Sequence, residues 1–345
     1  MTTRNIQHPI GSGFSAGQTA LDVVEGIDLT GRVAIVTGGH SGVGLETTRA
    51  LRTAGAHVIV PVRDPAKGQA RVADIGGVEI DRLDLADPDS INAFATRFIA
   101  SGHALDILVN SAGIMGVPLG RDARGYESHF ATNHLGHFQL VQGLWPALRA
   151  ANGARVVNVS AWAHRMSPVV FDDPSFERRD YEWWLGYGQS KTANILHAIG
   201  VTAHGANDGI EGFALHPGAI IDTDLSPWAS AETQRAMGNV DEHGQPVIDP
   251  ERGKKTRQQG ASTQTWLATN PRLSGLGGVY AENNEISPVV ELPDPQALQA
   301  LIASGETPVG VVPHAIDPEA ADRLWDLSER LMRQTKSAQD RKAGN

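Results

Sequence analysis

From Gly31 onward, the chain alternates between short, largely β-branched apolar runs and longer segments with helical periodicity. Several of the runs are almost continuously apolar, which is typical of parallel strands that are covered on both faces. The alternation predicts an α/β fold with a doubly wound parallel sheet and right-handed crossovers. Ligands of such sheets bind at the carboxyl ends of the strands. Six strands are expected, beginning at Val33, Val58, Val78, Asp106, Arg155 and Glu211.

The less regular stretches divide the chain into three parts. Residues 1–30 are polar and rich in glycine, and we expect them to form an N-terminal arm. Residues 31–285 would form the sheet domain, and residues 286–345 a C-terminal extension with one helix that begins at Asp317. A polar, proline-containing stretch at about 226–259 predicts a lid or substrate loop, with a tolerated surface insertion as the alternative. Within the sheet domain, helices are expected over 42–54, 88–100, about 126–148 and 187–204.

The composition excludes several classes of protein. The 345 residues include no cysteine, which rules out disulfides, cysteine metal sites and a thiol nucleophile. A formal net charge of −10 argues against a nucleic-acid partner. No apolar run approaches the ~18 residues of a membrane span, and no secretory signal is recognised, so a cytoplasmic protein is expected. His134 and His137 lack a third ligand at a convincing spacing, and no metal site is predicted.

A glycine-rich sequence, TGGHSGVG, runs from Thr37 to Gly44, where the first strand should give way to a helix. Gly38, Gly42 and Gly44 would allow a tight turn in which backbone N–H groups approach a pyrophosphate. The N-terminus of the following helix also favours negative charge. The motif therefore indicates a dinucleotide site of the Rossmann type, although an ordinary glycine-rich turn is the alternative.

The residue that follows the second strand bears on the choice of cofactor. NAD sites usually place an acidic residue there, where it accepts hydrogen bonds from the ribose 2′-OH. Here the strand ends with Val62 and Arg63 follows, and a guanidinium can hold a 2′-phosphate with two hydrogen bonds. The sequence thus favours NADP(H) over NAD(H). Asp64 would take the acidic role instead if the register were different by one residue.

Tyr187 and Lys191 lie four residues apart in the sequence YGQSK, so they would share one face of a helix. A nearby ammonium favours the phenolate, and Lys191 is therefore expected to lower the pKa of Tyr187 for acid–base catalysis. Most Tyr-x-x-x-Lys pairs are structural, so a catalytic role for this pair is indicated only by the residues that accompany it.

Two polar residues stand near this pair in the predicted fold. Ser160 follows the strand VVNV, at the sheet edge where ligands bind, although it could simply end the strand. It does not lie in a G-x-S-x-G turn, which argues against a hydrolase. Asn133 lies inside a helical segment to which asparagine is poorly suited. It is either an exposed polar residue or one with a local role, such as water binding or distortion of the helix.

Taken together, these motifs resemble those of the NAD(P)-dependent short-chain dehydrogenase/reductase family. They occur in family order from about Gly31 to Tyr280. Within the family, VNVSAWAH, KTANILHA and LHPGAIIDTDL look like the retinol-dehydrogenase-like and protochlorophyllide-reductase-like branch. The matching motifs are TGGHSGVG, LDL at 83–85, NSAG at 110–113, Asn133, VNVS ending in Ser160, YGQSK and HPG at 216–218.

The resemblance implies a role for each matching position. Tyr187 would be the acid/base, and Lys191 would hold the nicotinamide ribose. Ser160 would orient the substrate oxygen, and Asn133 would anchor a water in a proton relay. Together with Tyr187 and Lys191, the expected cofactor-binding residues are Gly38, His40, Ser41, Gly42, Val43, Gly44, Arg63, Asp84, Leu85, Asn110, Ala112, Gly113, Pro217, Gly218 and Thr223.

Two departures from the family pattern concern the substrate. Ser160 and Tyr187 are 27 positions apart, which is longer than the common family form. The aromatic side chains of this insert would either wall a pocket for a bulky apolar substrate or pack the insert onto the core. The cysteine that the protochlorophyllide enzymes use is absent, which argues against their photochemistry. The aromatic residues of the insert include Phe171, Phe176, Tyr181, Trp183 and Trp184.

The expected function is NADP(H)-dependent interconversion of a carbonyl and an alcohol on a bulky apolar small molecule. Reduction of activated C=C bonds on the same scaffold is an alternative, and a non-catalytic NADP-binding sensor is a less favoured one. The spacing of the glycines disfavours a sugar epimerase or dehydratase. Subunits of the family often pair through the two long helices, so a homodimer is one expectation, which the arm and the tail would either support or block.

Overall fold

An eight-stranded sheet forms the centre of the molecule. The computed structural model describes residues 7–220, 225, 231–236, 238–292, 294, 296–297, 300–301 and 308–343. The strands are β1 Val33–Thr37, β2 His57–Val62, β3 Val78–Arg82, β4 Ile107–Asn110, β5 Arg155–Val159, β6 Glu211–Leu215, β7 Tyr280–Glu282 and β8 Glu285–Ile286. Their order in the sheet is β3-β2-β1-β4-β5-β6-β7-β8. All neighbours are parallel except the antiparallel pair β7 and β8, so the predicted doubly wound parallel sheet is confirmed.

Helices cover both faces of this sheet. The α-helices are α1 Ala20–Val23, α2 Gly42–Thr53, α3 Pro65–Arg71, α4 Pro88–Ala100, α5 Gly136–Ala150, α6 Trp183–Gly205, α7 Ala231–Ala236, α8 Arg257–Gly260, α9 Ser262–Thr269 and α10 Pro318–Ala343. A π-helix, Phe130–Leu135, runs directly into α5. Short 3₁₀-helices are formed by Trp162–Arg165, Ala206–Asp208, Pro250–Arg252, Pro271–Leu273 and Pro313–Ala315.

Strand β1 illustrates why the central strands are largely apolar on both faces. Ala34 and Val36 belong to the core that includes α2 and α9, and Trp266 of α9 is the largest side chain in it. Val33 and Ile35 point to the opposite face, where they pack with α4 and α5. Because successive strand residues point to opposite faces, a sheet with a core on each side needs apolar residues at both.

The strand register brings the carboxyl ends of the central strands to one edge. Thr37, the last residue of β1, lies opposite Asn110 of β4, and Asn110 lies opposite Asn158 of β5. Strand order reverses between β1 and β4, and such a reversal opens the crevice where doubly wound sheets bind ligands.

Several elements differ from the sequence-based expectation. The helix expected over about 126–148 begins as the π-helix, and Asn133 lies within it, in keeping with the expected distortion. Helix α6 begins at Trp183, four residues before the predicted start. Strands β7 and β8 were not predicted, because runs of three and two residues are too short to show a pattern.

The described part of the N-terminal arm lies against the far edge of the sheet. The amide of Gln7 bonds to the main chain of Tyr280 at both N–H and C=O and to the carbonyl of Ser287. The carboxylate of Glu285 accepts hydrogen bonds from the main-chain N–H groups of Ile10 and Ser12. These contacts cover the last strands of the sheet, which would otherwise present an open edge.

Helix α10 of the C-terminal extension packs across α5 and α6. Trp325 stacks on His204 of α6 at 4.0 Å between ring centroids and meets Phe138 and Trp145 of α5 edge-on at 5.0 and 6.0 Å. The hydroxyl of Ser328 lies 2.8 Å from Nε2 of His134 in the π-helix. The tail therefore occupies a face of the two long helices, through which the family resemblance suggested that subunits pair.

Replacement of Trp325 by alanine should lower the free energy of unfolding by about 3–5 kcal/mol, because it leaves a cavity between three helices. Urea denaturation followed by circular dichroism measures this change. The matched control is Leu21→Ala, since Leu21 is 44% exposed and should change stability by less than about 0.5 kcal/mol. A loss below about 1 kcal/mol for the Trp325 variant would contradict the assigned packing.

Candidate active site

A cavity of about 820 Å³ lies along the carboxyl edge of the sheet. It brings together most of the residues predicted from the sequence, and Asn110, Asn133 and Thr223 are the exceptions. Asn110 and Asn133 are buried behind the wall, and Thr223 lies outside the described residues. The predicted residues that line the cavity are Gly38, His40, Ser41, Gly42, Val43, Gly44, Arg63, Asp84, Leu85, Ala112, Gly113, Ser160, Tyr187, Lys191, Pro217 and Gly218.

The glycine-rich turn forms one end of this cavity and leads into α2. A Cβ atom on Gly44 would collide with the carbonyl oxygen of Gly38, so only glycine allows the turn to close this tightly. The Thr37 hydroxyl accepts hydrogen bonds from the N–H groups of Ser111 and Ala112, at 3.0 and 3.1 Å. The turn after β1 and the loop after β4 are thereby held side by side, as a cradle for a dinucleotide requires.

Asn110 acts beneath the cavity rather than in its wall. Its Nδ2 atom donates to Oδ1 of Asn158 at 2.8 Å, and Nδ2 of Asn158 donates in turn to the carbonyl of Asn194 in α6. Asn110 is only 1% exposed, which keeps its side chain out of the cavity lining. In this structure it connects β4, β5 and α6.

Arg63 and Asp64 follow β2, the neighbour of β1 in the sheet, and they have different surroundings. Arg63 is exposed and lines the cavity. Asp64 caps α3 through a hydrogen bond from the N–H group of Lys67, and this bond lowers the pKa of the Asp64 carboxyl. Asp84 lines the cavity nearby, with one carboxylate oxygen accepting from the N–H group of Ala86.

Tyr187, Lys191 and Ser160 meet at the middle of the cavity. Both Tyr187 and Lys191 lie on α6, and the Lys191 ammonium is 5.5 Å from the centroid of the tyrosine ring. Lys191 Nζ donates to the carbonyl of Val159 at 3.0 Å, and the Ser160 hydroxyl donates to the carbonyl of Lys191 at 2.7 Å. Two hydrogen bonds, one donated by Lys191 and one by Ser160, therefore join the end of β5 to α6.

The electrostatics of this pair differ from the sequence-based expectation. Burial raises the pKa of the Tyr187 phenol and lowers the pKa of the Lys191 ammonium to about 8. The expected lowering of the Tyr187 pKa by Lys191 is not seen in the unliganded site, because burial raises the pKa of the phenol there. At neutral pH, Tyr187 is protonated and Lys191 is charged.

Asn133 holds the loop after β4 against α6. Its Oδ1 atom accepts from the N–H group of Ile114 at 2.8 Å, while Nδ2 donates to the carbonyl of Ile114 and to the Ser190 hydroxyl. A Cβ atom on Gly113 would lie 3.2 Å from Asn133 Oδ1 and 3.6 Å from Lys191 Nζ. The asparagine side chain is thus fully engaged directly behind the lysine, and only its main chain could serve a water.

The aromatic residues of the insert between Ser160 and Tyr187 have two roles. Trp183 and Trp184 stack at 3.9 Å between ring centroids and line the cavity. Phe176 and Tyr181 pack against each other at 5.0 Å, and neither lines it. The insert is therefore divided between residues that line the cavity and residues that pack against each other, and the bulky apolar substrate stays a prediction.

Other lining residues were not singled out from the sequence. Ser111, Ile114 and Met115 follow β4, and their place beside the NSAG motif was the available signal. From the stretch interpreted as a lid, Gln234 and Asn239 reach the cavity, whereas residues 226–230 and 237 lie outside the described residues.

Comparison with known proteins decides the family. The family model described as short chain dehydrogenase matches residues 32–233, more than half of the chain. The chain belongs to the short-chain dehydrogenase family. The glycine-rich cradle and the Tyr187–Lys191 pair fit a nicotinamide dinucleotide, and the protein is an oxidoreductase of this family.

Similar proteins place the enzyme in the retinol-dehydrogenase-like branch. A probable oxidoreductase of Streptomyces lividans is 45% identical over 306 residues, covering 87% of this chain and 97% of that protein. Human retinol dehydrogenase 12 is 38% identical over 312 residues, covering 89% and 88%. A short-chain dehydrogenase/reductase of Penicillium roqueforti is 36% identical over 329 residues, covering 92% and 91%.

Solved structures share the fold of this chain. An uncharacterised protein of Mycobacterium paratuberculosis has a TM-score of 0.66 and 31% identity, covering 92% of this chain and 98% of that one. A gluconate 5-dehydrogenase of Burkholderia cenocepacia, in complex with NADP and tartrate, has a TM-score of 0.58 and 21% identity, covering 74% and 95%. At this lower identity, the likeness concerns the fold.

Two further kinds of site were sought in the described part of the chain. No helix there has the length and apolar character needed to cross a bilayer. Nor do three or more histidine or acidic side chains come together there in a way that could hold a metal ion.

The affinity for NADPH should weaken as the pH rises through about 8. Lys191 loses its charge in that range, and with it the attraction for an anionic cofactor. Fluorescence titrations of the enzyme with NADPH between pH 7 and 9 measure this change. Lys191→Met should bind more weakly at pH 7 and show no such dependence. A wild-type Kd that is constant from pH 7 to 9 would show that Lys191 does not govern binding.

Proposed function

We propose that the protein is an NADP(H)-dependent oxidoreductase that interconverts a carbonyl and an alcohol on a bulky apolar small molecule. The observation that carries the proposal is the meeting of Tyr187, Lys191 and Ser160 in one cavity. The glycine-rich cradle lies on one side of them, and the stacked tryptophans Trp183 and Trp184 on the other. The absence of cysteine suits a cytoplasmic enzyme.

The bound nicotinamide would supply the hydride that is transferred to the substrate carbon. The Ser160 hydroxyl, which donates to the carbonyl of Lys191 in the structure, would turn its hydrogen to the substrate carbonyl oxygen and fix its position. Tyr187 would give that oxygen its proton, which leaves the phenolate behind. The ammonium of Lys191 would stabilise this phenolate until solvent returns a proton. Oxidation of an alcohol would use the same groups in reverse.

The raised pKa of Tyr187 suits the acid role in this scheme. A phenol that stays protonated at neutral pH is ready to donate as negative charge develops on the carbonyl oxygen. Binding of the positively charged oxidised nicotinamide, together with charged Lys191, would favour the phenolate in the opposite direction. The same tyrosine therefore serves both directions, with its proton affinity set by the occupant of the cavity.

Tyr187→Phe should lower kcat by about 10³-fold while leaving the Kd for NADPH within about threefold, because only the proton donor is lost. NADPH oxidation at 340 nm measures turnover with retinal and 2-naphthaldehyde, and with enones such as 2-cyclohexenone. Retinal is included because a similar human protein is named retinol dehydrogenase. Near-normal turnover of the variant would refute the assignment, and reduction of only the enone C=C bond would favour the alternative reaction.

The preference for NADP(H) rests on the surroundings of Arg63. The Arg63 side chain lines the cavity, whereas the neighbouring Asp64 is engaged in capping α3. A carboxylate that already accepts a main-chain hydrogen bond is poorly placed to receive the ribose 2′-OH of NAD. An arginine at this position can hold a 2′-phosphate with two charge-assisted hydrogen bonds.

Arg63→Ala should raise the Kd for NADPH by about 10- to 100-fold, since hydrogen bonds to charged groups are worth about 1.5–3 kcal/mol. The Kd for NADH should change by less than about threefold, and fluorescence titration measures both. Arg32→Ala is the control, because Arg32 pairs with Asp106 at the amino edge of the sheet. An unchanged ratio of the two affinities in the Arg63 variant would contradict the proposed preference.

A further inference from the structure

A buried carboxylate and imidazole lie beside the proposed catalytic residues, and the mechanism above does not use them. Glu127 and His129 are both 0% exposed. Oε1 of Glu127 lies 2.9 Å from Nδ1 of His129 and accepts from the His129 main-chain N–H group at 2.9 Å. Since a carboxylate only accepts, Nδ1 is the donor of the ring contact. Nε2 of His129 has no partner among the described residues, so the polar contacts of the ring there are those of Nδ1, with Glu127 and with the Tyr181 hydroxyl.

Glu127 also fixes the start of the helix that carries Asn133. Its Oε2 atom accepts from the N–H group of Phe130, the first residue of the π-helix, at 2.8 Å. Its carbonyl accepts from the N–H group of Ala131 at 2.8 Å. The first N–H groups of a helix lack acceptors within the helix, and the Glu127 carboxylate supplies one. The orientation of the π-helix therefore depends on Glu127.

On its other side, the same pair touches Tyr187. The rings of His129 and Tyr187 meet edge-on at 5.8 Å between centroids. A Cβ atom on Gly186, the residue before Tyr187, would lie 3.4 Å from both Glu127 Oε1 and His129 Nδ1. The main chain at Gly186, directly before Tyr187, therefore packs against the Glu127–His129 pair.

Tyr181 extends these contacts to the cavity wall. Its hydroxyl donates to the carbonyl of Val117 at 2.9 Å and lies 3.2 Å from Nδ1 of His129. Val117 belongs to the loop after β4, whose residues Ile114 and Met115 line the cavity. Tyr181 itself belongs to the insert that leads to the stacked tryptophans. Four parts of the site thus converge on one buried pair.

We propose that Glu127 and His129 are positioning residues that hold the Tyr187 phenol and the Asn133 helix in a fixed relation to each other. The proposal rests on the proposed function, in which Tyr187 is the proton donor. Neither residue needs to touch the substrate or to transfer a proton. Their effect would come from the hydrogen bond between them, because a misplacement of about 1 Å in an active site can cost roughly 10²-fold in rate.

Two substitutions of His129 separate this role from simple packing. In His129→Asn, the amide N–H can donate to Glu127 from about the position of Nδ1, although part of the ring volume is lost. In His129→Leu, the volume is largely filled but the donor is absent. If the hydrogen bond positions the site, the asparagine variant should have a higher kcat than the leucine variant. If His129 acts only by packing, the leucine variant should have the higher kcat.

Three quantities are measured for each variant and the wild type. They are the kcat for the aldehyde of the panel above that is turned over fastest, the Kd for NADPH and the melting temperature. For His129→Leu we expect kcat to fall roughly 10²-fold, with the Kd for NADPH within about threefold, because the cofactor residues are untouched. For His129→Asn we expect kcat within about fivefold of wild type. The proposal is overturned if the leucine variant equals or exceeds the asparagine variant, or if both match the wild type.

Glu127→Gln gives an independent measurement with a matched control. The amide keeps the shape of the carboxylate but turns an NH₂ group toward N–H donors, so kcat should fall by at least about tenfold. Glu79→Gln alters a second Glu–His pair, Glu79 and His57, which is exposed and remote from the cavity, and it should leave kcat unchanged. Equal kcat for the Glu127 variant and the wild type overturns the proposal.

If a variant at these two positions does not fold, Tyr181→Phe supplies the deciding result. It removes the hydroxyl but keeps the ring beside Gly186, and it should lower kcat by up to about tenfold, what one neutral hydrogen bond is worth. An unchanged kcat counts against the proposal. Tyr187→Phe separates a failure of the positioning role from a failure of the proposed function. If that variant is inactive while the His129 variants behave as wild type, only the positioning role fails, and if it is active, the proposed function fails first.

Discussion

The position of the proposed catalytic residues depends on the burial of helix α6 on nearly all sides. The helix packs between the ends of β5 and β6, the π-helix and α10, and its buried residues run from Gly186 to Gly205. The Thr192 hydroxyl reaches the carbonyls of both His164 and Ser167, and the Asn194 amide reaches the carbonyl of Val159. Catalysis requires its groups to be held within about 0.5 Å of their productive positions, and a helix fixed from every direction can meet that demand.

The fold could be predicted from the sequence in those parts where one physical rule acts alone. Strands β1, β2 and β4 are largely apolar on both faces because a core lies on each side of the sheet, and this requirement is visible in their sequences. The short strands β7 and β8 and the π-helix depend on neighbours that are distant in the sequence. Gln7, for example, bonds to Tyr280, and Ile10 bonds to Glu285, although these residues come from opposite ends of the chain. No local pattern contains that information.

The candidate site shows the same division. The spacing of Tyr187 and Lys191 alone predicts that they share one helix face. The glycines of TGGHSGVG likewise predict the turn after β1. Spacing could not reveal how deeply the pair is buried, and depth determines the direction of the pKa changes. Asn110 and Asn133 illustrate a second limit. Asn110 was expected to bind the cofactor and Asn133 to anchor a water, yet each side chain is engaged behind the wall, where Asn110 bonds to Asn158 and Asn133 bonds to Ile114 and Ser190.

The contact between Ser328 and His134 connects the last helix of the chain to the residue next to Asn133. More than 190 residues separate the two in sequence. During synthesis, every group of the proposed site therefore leaves the ribosome well before the helix that secures it. A chain that is released early would carry a complete set of reactive side chains on a scaffold without its final support. The proposed site is in this sense supported by a segment that is made after all of its reactive side chains.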